Sequence, residues 1–365
     1  MSGRRKRDWD EPGSPGPGGE GERRRESRPD LGPLARMSGR ALRRLIERVD
    51  MDTLSLALRY AEDALIQRVL RNVSSRTAAA LREEMEGGPG AAPEDCAEAQ
   101  QVLLEVAYDL EERGEISFEG PADDALPPLD RELEHRIAGF GLAGASAPDV
   151  IALVAGLAAR GREHGLVSLE PALERVPEGL LAAGLRMAVD QLPVEEIEAV
   201  LGRQIDASIY ALERNAEIAV EGVLSILEGE DEERTRARLV SFLPEGEADF
   251  ERMPEVRLTP SAQAANDIIR ASCELAALAR REGLGALEER AEALPHPLLA
   301  RGVRLALDGS DLDEVERMLR RRSRTRAERE RRKLETLLEG LLLLREGRDP
   351  AYVREALEGF LEDKA

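Results

Sequence analysis

An internal repeat constrains this chain more than any other feature of its sequence. Residues 149–243, shifted by 118 positions, fall on 267–361 without a gap. Asp149 then meets Asp267, Arg162 meets Arg280, Gly165 and Leu166 meet Gly283 and Leu284, and Leu169 and Glu170 meet Leu287 and Glu288. Further along, Pro177 meets Pro295, Gly184 meets Gly302, Asp190 meets Asp308, Gly229 meets Gly347, and Phe242 and Leu243 meet Phe360 and Leu361. Chance does not keep breakers and core positions in step over so long a span. The sequence therefore reads as two copies of one module, about 148–246 and 263–365, joined by a linker at 247–262.

Each copy has helical spacing. The first opens with VIALVAGLAARGREHG, an apolar-faced helix stopped at Gly165 by a left-handed cap. Ser168 then caps the next helix, which leaves Arg162 in a last turn and Glu170 in a first turn. Dipole compensation accounts for such a pair in one copy, and a protein–protein contact also suits it; its return at Arg280 and Glu288 weakens the first reading. Composition agrees with a helical chain, because Ala, Leu, Glu and Arg dominate and only 3% of the 365 residues are aromatic. The expected class is all-α, with two or three domains.

Ahead of the repeat lie three blocks. Residues 1–32, with GSPGPGGEGERRRESRPD, mix Gly, Pro and both charge signs and predict a disordered tail. Helical periodicity begins at Leu34 and defines a folded unit over 33–119. Asp50 or Asp52 caps one of its helices and Ser74 or Ser75 another; Pro93 opens a third, and Gly114 ends it. Residues 120–147 read as a linker with at most one short helix.

The formal net charge of −21 is a poor match for a nucleic-acid backbone. RRRSRTRAERERRK at 320–333 reads as the solvated basic face of a long helix. Cys96 and Cys273 form neither a disulfide framework nor a zinc cluster, which fits a reducing cytoplasm. No run is apolar enough to span a bilayer, and the first residues do not form a signal peptide. His135, His164 and His296 are dispersed and read as surface or helix-terminal residues. With no phosphate loop, nucleophile elbow or metal spacing, the expectation is a non-enzyme without a cofactor.

Two resemblances sharpen this. The segments VDMDTLSLAL, VLRNVSSRTAAALREEM and DLEERGEI resemble the C-terminal domain of the flagellar rotor switch protein FliG, an all-helical domain whose torque helix carries charges that meet the stator. By that resemblance the functional charges fall on Arg59, Arg76, Glu83 and Glu84. From helical geometry alone, Arg76, Glu83 and Glu84 share one face, which a solvated amphipathic helix would also show. Another basic position of the family falls in GAAPED, which has no arginine. The family's membrane-ring anchor and middle domain have no counterpart here, which sets the chain apart from the principal switch subunit.

The copies at 148–246 and 263–365 are similar to the cytoplasmic region of the stator protein MotA, with its membrane helices cut out. LARREGLGALEERAEALPHPLLARGVRLALDGSDLDEVERML is the closer match. That resemblance assigns rotor-facing charges to Arg162, Glu170, Arg280 and Glu288, and without membrane helices it implies no ion pathway. It also sets the basic stretch 320–333 where that family's helix approaches the membrane, which implies a weak contact with anionic lipid. Together the resemblances cover most of 34–362. They imply an accessory or adaptor protein of the flagellar motor, at the cytoplasmic face of the basal body, that docks to rotor and stator proteins by charge complementarity. Rotor-like and stator-like charges in one polypeptide also raise self-association. The alternative is a general helical scaffold of flagellar ancestry with other partners.

Overall fold

The structure, a computed structural model, describes residues 29–87, 91–120, 124–244, 260–294 and 296–363. Every regular element among them is helical, so the chain is all-α as its periodicity predicts. Most of the expected tail and of the 247–262 linker lies outside the described residues, although Gly32 already begins one helix and Pro260 another.

The chain divides into two compact units. The first takes the residues up to Leu129 together with two later segments, 163–170 and 189–191. The second takes 130–162, 171–188 and everything from Leu192 onward.

Unit 1 contains α1 (Gly32–Arg36), α2 (Gly39–Ile46), α3 (Met51–Leu58), α4 (Asp63–Arg71), α5 (Ser75–Gly87) and α6 (Pro93–Glu112). Local chemistry sets the helix starts. Ser38 accepts the Ala41 N–H, Asp50 accepts that of Thr53, and the Ser74 hydroxyl accepts that of Thr77 at 3.0 Å. The Thr53 bonds hold Asp50 below the usual carboxylate range against the opposing effect of burial. Gly114, at φ +71°, lets α6 close with the Glu115 N–H on the Leu110 carbonyl. With so few aromatics the core is aliphatic, built on Leu34, Leu42, Leu45, Ile46, Leu54, Leu58, Leu81 and Leu103.

A polar chain crosses the same unit. Arg68 donates to both carboxylate oxygens of Asp124, at 3.1 and 3.0 Å, and to the carbonyls of Ala35 and Met37, both at 2.7 Å. Asn72 donates to Asp124 at 3.2 Å and accepts from buried Arg43 at 2.6 Å. Burial would raise the Asp124 pKa, but these bonds and the nearby guanidinium charges outweigh it and lower it. A fork of this kind ties the termini of α1 and α4 to the segment beyond α6.

Unit 2 contains α7 (Arg131–Ala138), α8 (Ala147–His164), α9 (Glu170–Leu173), α10 (Leu180–Val189), α11 (Val194–Leu227), α12 (Glu232–Val240), α13 (Pro260–Glu282), α14 (Pro297–Leu307), α15 (Leu312–Arg345) and α16 (Pro350–Asp363). Short 3₁₀ segments follow α8 and α13, and the division into units draws Glu163–Glu170 and Val189–Gln191 into unit 1. The helix bounds recur with the sequence offset: α11 and α15 have 34 residues each, and both ends differ by 118. Gly165 and Gly283 adopt the same left-handed backbone, φ +83° and +85°, as do Gly229 and Gly347 at +68° and +69°. Ser168 does not cap the following helix as its position suggests. A 3₁₀ turn intervenes, and its hydroxyl donates to the Gly165 carbonyl at 2.6 Å.

The packing of unit 2 is reciprocal. A side chain on Gly184 of α10 would strike Leu341 of α15 and Leu201 of α11; on Gly302 of α14 it would strike Val223 of α11 and Leu319 of α15. Gly222 lies against Ser272 and Leu239, and Gly340 against Val154 and Leu357. Each pair of contacts is related by 118 positions. The first segment thus packs its long helix on the opening helices of the second, and the second returns the arrangement. The ions follow the same rule: Arg162 donates to the Gly347 carbonyl and faces Asp349 at 3.6 Å, while Arg280 donates to the Gly229 carbonyl and faces Asp231 at 4.0 Å. One core joins Val223, Leu239 and Val240 from the first segment to Ile268, Leu299, Val303 and Leu319 from the second. Apart from 163–170 and 189–191, segments 148–246 and 263–365 therefore share one folded unit. At 1.5 Å per residue a 34-residue helix is about 50 Å long, too long to be covered by one module's own short helices.

Gly302→Ala should destabilise the protein by about 1–3 kcal/mol in urea unfolding, because Val223 is branched and cannot give way; at an open helical site the same change would stabilise. His296, at the start of α14, is buried rather than on the surface, and its Nδ1 lacks a partner among the described residues. Burial, helped by the charge of Arg326, lowers its pKa from 6.5 to about 4. The unfolded chain then binds the extra proton first, so this contribution is complete above pH 6.5 and is lost as pH falls toward 4. His296→Gln should flatten that part of the stability–pH curve, by at most about 1.4 kcal/mol per pH unit.

Candidate docking site

The eight charges singled out in the sequence do not form one patch. Arg76, Glu83 and Glu84 are exposed along α5, as a shared outer face requires. Arg59 reaches the C-terminal part of that helix, where its guanidinium donates to the backbone carbonyl of Glu84 at 2.8 Å and leaves the Glu84 carboxylate outward. Arg162 and Arg280 hold the loops after α15 and α11 in unit 2, which gives both a structural task. Glu288 is exposed, and its carboxylate has no partner among the described residues.

The start of α5 is the most organised polar surface of unit 1. The first turn of a helix presents unpaired N–H groups and a partial positive charge. Glu170 satisfies it by accepting the Ser75 N–H at 2.8 Å. Asp190 accepts from the Ser74 hydroxyl at 2.6 Å and from Arg76 at 3.2 Å. Its carboxylate is 7% exposed, whereas the Arg76 side chain is 76% exposed. The Leu166 N–H donates to Glu47 at 2.8 Å. Gly165 lies so close to Arg43 that an added Cβ would stand 3.0–3.1 Å from its side-chain carbons. Segments 163–170 and 189–191 thus cover the end of α2 and the start of α5, with carboxylates set on donors.

Of the charges read from the sequence, Arg76 and Glu170 therefore meet the same helix start, while Glu83 and Glu84 remain outside the contact. Glu47 and Asp190 take part without having been read as site residues, and Ser74, expected only as a helix cap, also donates to Asp190. One signal for Asp190 was available, since it repeats as Asp308 in front of a position that carries a left-handed backbone in both copies, Gln191 at φ +62° and Gly309 at +79°. The basic tract on α15 is partly neutralised within unit 2. Arg320 contacts Glu217, Glu221 and Glu316, Arg331 contacts Asp206, and Lys333 contacts Glu330 and the Leu142 carbonyl. Among the described residues no group of acidic, His or Cys side chains is arranged to hold a metal, and no helix is long and apolar enough to cross a membrane.

The protein is all-helical, and in its N-terminal unit charged side chains gather on one helix start. The FliG C-terminal domain family matches residues 25–118, which includes α1 to α6. Over that region the chain is 35% identical to the flagellar motor switch protein FliG of Thermotoga maritima, across 83 residues, 23% of this chain and 25% of the relative. It is 33% identical to that of Bacillus subtilis across 94 residues, 26% and 28% of the two chains, and 30% identical to that of Vibrio cholerae across 93 residues, 26% and 27%. The chain thus spans about a quarter of the length of the curated relatives it matches. No solved structure matches it.

The Glu170 contact is testable. Glu170→Ala should speed amide hydrogen exchange in the first turn of α5 about five- to tenfold, the loss of roughly 1 kcal/mol expected for a charge-assisted bond at a helix start. Glu288→Ala, at the corresponding position of the second copy, should leave that turn unchanged.

Proposed function

We propose that this protein is a non-enzymatic accessory component of the bacterial flagellar motor, in the cytoplasm at the base of the flagellum, that docks to motor proteins through charged helical surfaces. The observation that carries the proposal is the match of residues 25–118 to the FliG C-terminal domain, combined with the outward position of Glu83 and Glu84 on α5. In this reading α5 is the counterpart of the torque helix, and Arg59, Arg76, Glu83 and Glu84 form its charged face. The segments 148–246 and 263–365 are two copies of one stator-like module, similar to the cytoplasmic part of MotA. Their equal helix lengths, paired left-handed glycines and reciprocal contacts support the duplication. Arg162 and Arg280 then serve the fold of the duplicated module, and Glu170 and Glu288 are left as its docking carboxylates.

Contacts between exposed charges set orientation and encounter rate more than affinity, and salt weakens them. Each exposed pair is worth only about 0.2–1 kcal/mol, so single reversals have little effect. The decisive experiment is genetic. Deleting the gene from a motile strain should change swimming speed or switching frequency, and the wild-type gene should restore it. Glu83→Lys with Glu84→Lys should restore it incompletely, and a fluorescently tagged chain should collect at flagellar bases. Normal motility in the deletion, with the tagged chain spread evenly, would refute the proposal.

A further inference from the structure

We infer that the outer face of α15 between Arg317 and Arg329 is a binding surface for the phosphate backbone of double-stranded DNA, without preference for base sequence. This goes beyond the proposed function and does not depend on it. Residues 317–329 hold seven arginines and a single acidic residue, Glu328. Arg320 is engaged by Glu217, Glu221 and Glu316. The other six, Arg317, Arg321, Arg322, Arg324, Arg326 and Arg329, are exposed, and no carboxylate pairs with them among the described residues.

The duplication contains its own control for this charge. At the corresponding positions of α11, 118 residues earlier, stand Ala199, Arg203, Gln204, Asp206, Ser208 and Ala211. With one positive and one negative charge among those six, α11 still forms a helix of the same 34 residues. The helix therefore does not require the six exposed arginines. They work against it, because like charges one turn apart repel along a helix. Arg317 and Arg321 stand in that relation, as do Arg322 and Arg326, Arg321 and Arg324, and Arg326 and Arg329. Charge that the fold neither needs nor favours is accounted for by a polyanionic partner.

The residues that accompany the arginines select the polyanion. Met318 is the one large apolar side chain exposed within 317–329, and no aromatic residue occurs there. A protein interface has an apolar centre poor in charge, and an interfacial helix needs an apolar side to enter a bilayer. Single strands are held by aromatic stacking. Protein–DNA interfaces are instead polar and strongly positive, and arginine meets phosphate with paired hydrogen bonds. The spacing agrees. Arg317, Arg321 and Arg324 form one row and Arg322, Arg326 and Arg329 a second, each with steps of four and three residues, about 140° apart around the helix. Opposite flanks of a helix stand about 10–12 Å apart. The two phosphate walls of the B-DNA major groove are about 12 Å apart, whereas the narrow major groove of an RNA duplex does not admit side chains. The net charge of −21 does not describe this face; it repels DNA elsewhere and confines contact to the two rows.

The test is fluorescence anisotropy of the full chain with a labelled DNA duplex of mixed sequence over a series of salt concentrations. Affinity should fall as salt rises, with a slope of log affinity against log salt of about −5 for six phosphate contacts. A duplex of unrelated sequence should bind equally. Arg321→Gln with Arg324→Gln and Arg326→Gln should lower affinity at least about tenfold at low salt and reduce the slope by about 3. Helical content should not change, since glutamine and arginine are similar helix formers. Arg203→Gln, at the position in the first copy that corresponds to Arg321, should leave binding as it is. Absence of binding, or affinity that the triple variant leaves intact, would overturn the inference. So would an equal loss in Arg203→Gln, or tighter binding to duplex RNA, a polyglutamate peptide or anionic lipid vesicles than to the DNA. Each of those results leaves the motility experiment, and the proposed function, untouched.

Discussion

Close approach at four glycines is the constraint on which unit 2 depends. Gly184, Gly302, Gly222 and Gly340 each stand where a methyl group would collide with a leucine, valine or serine of the other segment or of a long helix. With few aromatics to fill space, the core is packed from Leu, Ile, Val and Ala, and helices made of these must come near each other to exclude voids. Glycine permits that distance at a cost in helix propensity of about 1 kcal/mol per residue. Burial of Val223, Leu319, Leu341 and their neighbours offsets it.

Unit 1 solves a different problem. It is small, and its polar chain Arg43–Asn72–Arg68–Asp124 ties sequence-distant segments that apolar contact alone would hold loosely. Arg43 also bears on Gly165, so the chain of hydrogen bonds reaches the surface where carboxylates meet the start of α5. Position and charge at that surface are set from within the core.

Local structure was legible because it depends on neighbours in sequence. Asp50, Ser74, Pro93 and Gly114 punctuate the helices where their chemistry requires, and the offset of 118 recurs in the helix bounds. Tertiary sharing was not legible. Nothing in the periodicity of α11 says that Leu201 packs on Gly184 of its own segment while Val223 packs on Gly302 of the next. The charge pairs show the same limit. Arg162 and Glu170 are eight residues apart and look like a matched pair, yet Arg162 belongs to unit 2 and Glu170 to unit 1. Asp190, marked in the sequence only by its recurrence as Asp308, makes the more buried contact.

The exchange of helices in unit 2 has a consequence for assembly. Two separate polypeptides that interleaved their long helices in this way would form an obligate pair, and their folded fraction would fall on dilution. Here both partners are on one chain, so completing each core is an intramolecular event. The folded state is then independent of abundance, and a protein made in very few copies per cell keeps its structure. Neither half can be shed without stripping the other of its core, so the pair is inherited and lost together.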